Sequence, residues 1–371
     1  MQSIRPKEVF VLQERDESRV KYAVSLYSVG KFEEALREIK ALLEKDPSDP
    51  YYNAFAADCM IQIGNYQQAE KFAGIAQSLE KDNPDYSVLY ALALFYNGKP
   101  EKALQAINSA IRRGESAERS IIKSQILLAL GREEDAVKEA RKAVSLEPSE
   151  ESNRNLGSVL REAGMDDEAE EVYRKIAEDN PNDVEALRAI FEIKEEQGKL
   201  REALEIIDRC IEIDPEDYTL LLDRSDLYMA LDDPDMAMED ALQASMLSRE
   251  APDALLALAR IERERGLLQD ALKHVESAME DYAEDPEVHA VRAEILKAIG
   301  RTGEATEECM EAVRLGAESD VKYRVGLLLY EMRKYEEAGK IFSELVDDPV
   351  YSVSASLYSE RCQWKSLHQK S

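Results

Sequence analysis

An alanine recurs almost every 34 residues along this chain of 371: Ala35, Ala69, Ala103, Ala136, Ala169, Ala203, Ala237, Ala271, Ala305 and Ala338, always 33 or 34 apart. A period held that tightly marks a repeat array, in which each repeat is one supersecondary element that buries its apolar face only by stacking on its neighbours. It argues for one elongated solenoid rather than the two or three globular domains that the length alone would allow.

With each anchor alanine placed at position 20, ten repeats begin at Asp16, Pro50, Pro84, Ala117, Glu150, Val184, Tyr218, Pro252, Pro286 and Ser319. Position 8 is then small in nine of the ten (Ala23, Ala57, Ala91, Ser124, Gly157, Ser225, Ala259, Ala293, Gly326), as two helices need if their backbones are to approach closely. Position 24 is mostly apolar and of mixed size, for example Ile39, Ile107, Tyr173, Val275 and Phe342, and position 27 is Ala or Cys in seven repeats. Positions 20, 24 and 27 are three or four apart, so they form one stripe of a helix. Position 15 is Gly in eight repeats, which suits a left-handed residue ending one helix before the next. Pro47, Pro148, Pro181 and Pro215 at position 32 separate the repeats, since proline cannot continue a helix. Each repeat therefore reads as a helix, a tight turn, a second antiparallel helix and a short loop.

This pattern resembles the tetratricopeptide repeat family. A small residue at 8, Gly before the second helix, Ala at 20, an aliphatic or aromatic residue at 24, Ala at 27 and Pro at 32 all appear in order, and GKFEEALREIKALLEKDPSDP and GKLREALEIIDRCIEIDPEDY lie close to the family consensus. The resemblance implies an all-α, right-handed α-solenoid superhelix. It divides the chain into an N-terminal segment 1–15, ten repeats over 16–349 and a C-terminal capping helix and tail over 350–371. The chain departs from the pattern in places. No Trp stands near position 4, Asp232 and Arg333 replace the turn Gly, Phe191 fills a small site, and Lys194 and Glu262 occupy the usually apolar position 11.

The family's first helices line a concave groove through positions 2, 5, 9, 12 and 13, and reading those positions gives the candidate site. In repeats three and four they are apolar or aromatic: Val88, Leu92, Phe95, Tyr96, Ile121, Gln125 and Leu128, with Tyr27 and Ile61 upstream. Such a stripe suits gripping a peptide segment, although packing between adjacent first helices would need the same residue types. Repeats five and six place charge there instead: Arg154, Ser158 and Arg161, then Arg188 with Glu192 and Glu195. Arg154 and Arg188 share position 5 and suit a carboxylate or phosphate; intrahelical pairing, Arg154 with Glu151 and Arg188 with Glu192, is the plainer expectation. The family's two-carboxylate clamp for acidic chaperone tails is not supplied, because after Arg154 its positions hold Ser158, Ala189, Thr219 and Asp223.

Composition narrows the function classes. Seventy-seven acids against 48 bases give a net charge of −29, which repels phosphate backbones and speaks against nucleic-acid binding. It suits solubility or a basic partner. The four cysteines are far apart and read as reduced core thiols, and the three histidines show no metal-ligand spacing, so no metal or cofactor is expected. No catalytic motif appears, and the chain outside the repeats is too short for a catalytic domain. No membrane span or secretory leader is visible, which makes the cytoplasm the expected compartment. In the tail, Val353, Leu357, Tyr358, Trp364 and Leu367 recur at helical spacing, as if to seal the last repeat, with Trp364 covering its core. The expected function is a non-catalytic scaffold that captures a protein segment in its groove. Self-association into an assembly is the second reading, and RNA binding the third.

Overall fold

The computed structural model describes residues 14–248 and 252–369, so all but the last two positions of the expected N-terminal segment lie outside the described residues. Among the described residues there are twenty-one α-helices and no strand. They form ten antiparallel pairs: α1 (Glu14–Ser28) with α2 (Phe32–Leu43), α3 (Pro50–Gln62) with α4 (Tyr66–Leu79), α5 (Pro84–Tyr96) with α6 (Pro100–Arg113), α7 (Ala117–Ala129) with α8 (Glu133–Leu146), and α9 (Glu150–Glu162) with α10 (Asp166–Asp179). Then follow α11 (Val184–Glu196) with α12 (Leu200–Ile213), α13 (Tyr218–Ala230) with α14 (Pro234–Leu247), α15 (Pro252–Glu264) with α16 (Leu268–Asp281), α17 (Pro286–Ile299) with α18 (Thr302–Arg314), and α19 (Ser319–Glu331) with α20 (Tyr335–Glu344). A single helix, α21 (Ser352–Gln369), follows the last pair. Nine of the ten repeat starts read from the period are the first residue of an odd-numbered helix. The fold is an all-α helical-repeat solenoid. It divides into two compact units, one up to Ala186 and one from Leu187.

Local chemistry places the helix ends. Asp49, Asn83, Ser116, Ser149, Asp217 and Asp285 each accept a hydrogen bond from a backbone N–H of the first turn that follows, satisfying a donor that the helix leaves orphaned. All ten turns between paired helices carry a left-handed residue at position 15. Eight are Gly, and Asp232 and Arg333 take the same conformation at φ 62°. The residue after each turn then donates its N–H to the carbonyl five residues back, as Lys31 does to Leu26 at 2.9 Å.

The ten anchor alanines are fully buried, each at the crossing of its helix pair. Across that crossing, position 8 meets position 24, and outside the sixth repeat, which pairs Phe191 with Ile207, a large residue at 24 stands opposite a small one at 8. Gly157 faces Tyr173, and Gly326 faces Phe342, so closely that an added Cβ would stand 2.7 Å and 3.0 Å from the respective rings. Repeats with Ile at 24 (Ile39, Ile107) carry Ala at 8 (Ala23, Ala91) instead. The polar residues at position 11 are reconciled in the same way. Lys194 reaches Glu202 at 2.9 Å, and Glu262 lies 2.7 Å from His274 Nδ1, each from the facing second helix.

Within each unit, successive first helices also pack on one another: α3 on α5, α5 on α7 and α7 on α9, then α13 on α15, α15 on α17 and α17 on α19. No comparable contact joins successive second helices among the described residues. First helices that converge while second helices splay make the first-helix face the inner, concave one in each unit.

The terminal helix corrects one expectation. α21 does pack on α20, but through Ala355, Tyr358 and Cys362, with Tyr351 just before it adding to the same cluster. Trp364 is exposed, as are Val353, Leu357 and Leu367, and none of the four covers the core.

Candidate functional site

In the first unit, Ile61 on α3, Leu92, Phe95 and Tyr96 on α5, and Gln125 and Leu128 on α7 stand half-buried on the inner face. Leu92 and Phe95 rest one side against the core shared by α5, α6 and α7 and leave the other open. Phe95 and Tyr96 have ring centroids 5.5 Å apart, and Tyr96 stacks on Tyr66 at 5.4 Å. Gln125 is held from below: its amide donates to Asn155 Oδ1 at 3.4 Å, while Asn155 donates to Ser124 Oγ at 3.0 Å. Upstream, Tyr27 packs on Phe55 at 5.5 Å, beside Asp58, whose carboxyl is pushed up to about 6 by burial.

Two residues of the expected stripe are not on it. Val88 is 3% exposed and Ile121 is 7% exposed, both within the core. Ile121 is buried against Ala143 of its own repeat's second helix, while Val88 is swallowed between its helix and the next repeat. Val88 accordingly shares its cluster with Ile122 of α7.

Arginine at the same position behaves differently. Arg154 reaches across to Asp183 and to Glu185, the latter at 3.1 Å, and also holds Glu150 of its own helix at 2.9 Å. In the second unit, Arg188 donates to Asp223 at 2.6 Å and to Thr219 at 3.1 Å, both on α13. The pairing expected to be intrahelical is thus largely between repeats, and both guanidinium groups are already occupied by carboxylates. Ser158 is exposed and Arg161 half-buried on α9.

The rest of the second unit's inner face continues this pattern. Arg260 holds Glu287 and Arg263 holds Glu294, while Arg324 bonds Glu287 at 2.8 Å and Glu294 at 3.0 Å. These bonds join α15, α17 and α19 into one charged lattice. Near Arg188, burial pushes the Asp223 carboxyl up to about 6; Arg188 opposes the shift, and Asp226, Glu195 and Glu192 add to it. Burial likewise raises Asp226 and Glu195.

Two of the three histidines have carboxylate neighbours that sequence spacing did not reveal. His274 meets Glu262, and His289 Nδ1 lies 2.6 Å from Glu308, which also binds Arg292. Helix pairing brings these groups together from 12 and 19 residues away. No group of three or more potential ligands is placed to hold a metal ion among the described residues, and no described helix is long and apolar enough to cross a membrane.

Two contributors were missed. Tyr66 belongs to a second helix, so a first-helix reading passes over it. Arg324 stands at position 6, outside the groove positions, yet Glu287 and Glu294 lie 37 and 30 residues before it. Opposite charges about one period apart were the available signal.

Comparison with known proteins points to the same repeat family. Family models described as tetratricopeptide repeat match residues 26–87, 123–184 and 192–217, and one described as anaphase-promoting complex, cyclosome, subunit 3 matches 65–143. The TPR repeat-containing protein YpiA of Bacillus subtilis (strain 168) is 23% identical over 88% of this chain and 78% of its own length. The human N-alpha-acetyltransferase 16, NatA auxiliary subunit, is 22% identical over 66% of this chain. The chain spans only 29% of that protein, and 18% of the human tetratricopeptide repeat protein 16. In fold, it is similar to a tetratricopeptide repeat protein from Parabacteroides merdae, with a TM-score of 0.55 at 19% identity, covering 67% of this chain and all of that one.

Proposed function

The chain is a tetratricopeptide repeat protein, and on that premise we propose that it is a non-catalytic scaffold whose first unit grips an apolar or aromatic segment of a partner protein along its inner face. One observation carries the reading. Leu92, Phe95, Tyr96 and Leu128 keep open apolar surface side by side on the first unit's inner face, where Arg154 is occupied by carboxylates of this chain, whereas the second unit's inner-face arginines Arg188, Arg260, Arg263 and Arg324 are all so occupied. Burying a few such side chains against a segment is worth about 1.5–3 kcal/mol each. The surrounding −29 charge favours segments with lysine or arginine flanks and makes capture weaken with salt. The human auxiliary subunit is by name an accessory of an acetyltransferase, which suits a supporting rather than catalytic part.

The test is affinity capture from a lysate of the source organism with wild type, Leu92→Asp/Phe95→Asp and Tyr96→Ala, all first checked for unchanged helicity and melting. A partner held by wild type and lost by both folded variants supports the groove. Equal capture by all three refutes it.

A further inference from the structure

Asp58 is the only charged residue at positions 9, 12 and 13 of the first four repeats, which supply the middle of the first unit's inner face. It stands at position 9 of α3, one period before Leu92, and α3 packs on α5. Its carboxyl is therefore a neighbour of the apolar grip. Tyr27 reaches it from α1, and Gln62 from the next turn of α3. Phe55, one turn earlier on the same helix face, packs on Tyr27 at 5.5 Å and on Tyr51 at 6.1 Å. Asp58 itself is half-buried, with the exposed Gln62 beside it.

A carboxylate drawn partly out of water beside aromatic rings is costly unless a cation offsets the loss. Among the described residues, no lysine or arginine of the chain supplies one: the groups that act on Asp58 are Tyr27 and Gln62, both uncharged. Other acids of the inner face differ in this respect, since Asp183, Asp223, Glu287 and Glu294 each hold an arginine. Burial accordingly pushes the Asp58 carboxyl up to about 6, which still leaves it mostly ionised at neutral pH. The free protein thus keeps one desolvated negative charge without a counter-charge, on the face where a partner segment would lie.

We propose that Asp58 receives the ammonium or guanidinium group of a lysine or arginine in the partner segment, at the edge of the grip formed by Leu92, Phe95 and Tyr96. The inference rests on the groove reading above and gives that segment a pattern. Adjacent helices pack about 8–10 Å apart, and an extended chain advances about 3.3 Å per residue. The basic residue therefore stands about three residues from the apolar or aromatic one. Aromatic neighbours suit a cation and disfavour an anion, and the single negative charge refuses a carboxylate or phosphate at that point. A bound cation makes a charge-assisted bond to a carboxylate that has already lost part of its water, so little further desolvation opposes it.

The probe is a random peptide library displayed on phage, selected in parallel against the full chain, Asp58→Asn and Leu92→Asp/Phe95→Asp. Asp58→Asn keeps the side chain's shape, and helicity and melting check each variant. Wild type is expected to enrich peptides with Lys or Arg about three residues from Leu, Phe, Tyr or Trp. Asp58→Asn should enrich the apolar residues without the basic one. A synthetic copy of the most enriched peptide then enters a cycle read by fluorescence anisotropy. Asp58→Asn, or norleucine in place of the peptide's basic residue, weakens binding about tenfold or more. Both changes together weaken it no further. The norleucine peptide leaves the protein untouched, so its loss of binding owes nothing to folding. Peptides enriched for apolar residues alone overturn the role of Asp58 and leave the groove reading standing. The same basic residue enriched by Asp58→Asn, or losses that add in the cycle, also overturn it. If wild type enriches nothing, or Leu92→Asp/Phe95→Asp enriches the same peptides, the groove reading fails and this inference with it.

Discussion

Replacing Gly157 with alanine puts two effects in opposition, and the structure says which wins. Alanine in the interior of α9 gains about 1 kcal/mol of helix stability over glycine. Its Cβ, however, would stand 2.7 Å from Tyr173 Cζ and 2.8 Å from a neighbouring ring carbon, closer than carbon atoms approach. Tyr173 is itself buried, so its ring has little room to retreat. Overpacking of this kind costs about 1–3 kcal/mol, and the expected net loss is about 1 kcal/mol. Tyr173→Ile alone leaves a void beneath Gly157 and costs about 2–4 kcal/mol. The pair Gly157→Ala/Tyr173→Ile recreates the Ala–Ile combination that stands at Ala23–Ile39 and Ala91–Ile107. It should recover about 1–2 kcal/mol relative to the sum of the single changes. Trp364, the sole tryptophan, lies in the other compact unit and is no reporter of this site. Hydrogen exchange of the α9 and α10 amides, which reads local opening, is the appropriate measurement, and urea unfolding followed by circular dichroism gives the global counterpart. Singles that add to within about 0.5 kcal/mol of the double, or a Gly157→Ala variant that is more stable than wild type, would refute the size-matching argument.

Arg333→Gly should raise stability by about 1 kcal/mol by relieving a left-handed arginine, and Asp232→Gly by less, since Asp tolerates that conformation; paired thermal melts decide it. The Asp58 carboxyl, at about 6 against an ordinary 3.8, holds its proton more tightly when folded. The stability this adds is complete below about pH 4 and lost as pH rises through about 6, up to about 3 kcal/mol. Asp58→Asn should therefore exceed wild type in denaturant midpoint at pH 7.5 and match it at pH 4, whereas an equal gap at both would contradict the assignment. Burial pushes the thiols of Cys59 and Cys309 up to about 12 and those of Cys210 and Cys362 up to about 11. Iodoacetamide at pH 8 should leave all four untouched until denaturant is added, as mass spectrometry will read.

The repeat frame was legible because it is written in small residues and turn glycines, whose roles are set within one helix pair. Ala35 needs only the helix it crosses, and Gly30 only the turn it closes. Even the substituted turns at Asp232 and Arg333 follow the frame, since the surrounding bonds hold the left-handed backbone in place. Legibility fell away wherever a side chain's fate depends on the next repeat. Val88 and Arg154 share position 5, yet one is buried between helices and the other bridges them, and helical period alone cannot separate these outcomes. The face of α21 was misread for a related reason. Tyr358 and Trp364 both recur at helical spacing, and periodicity finds stripes without saying which one a neighbour covers.

The lattice of Arg260, Arg263 and Arg324 with Glu287 and Glu294 has a mechanical consequence. Each bond is a cross-brace over a repeat boundary, tying α15 to α17 and α17 to α19 along the inner edge. Opening the curve of the second unit must stretch those braces, while closing it does not. Their tension is electrostatic and weakens as salt rises. That stretch of the solenoid behaves as a one-way spring, with a stiffness that the ionic strength of its surroundings tunes.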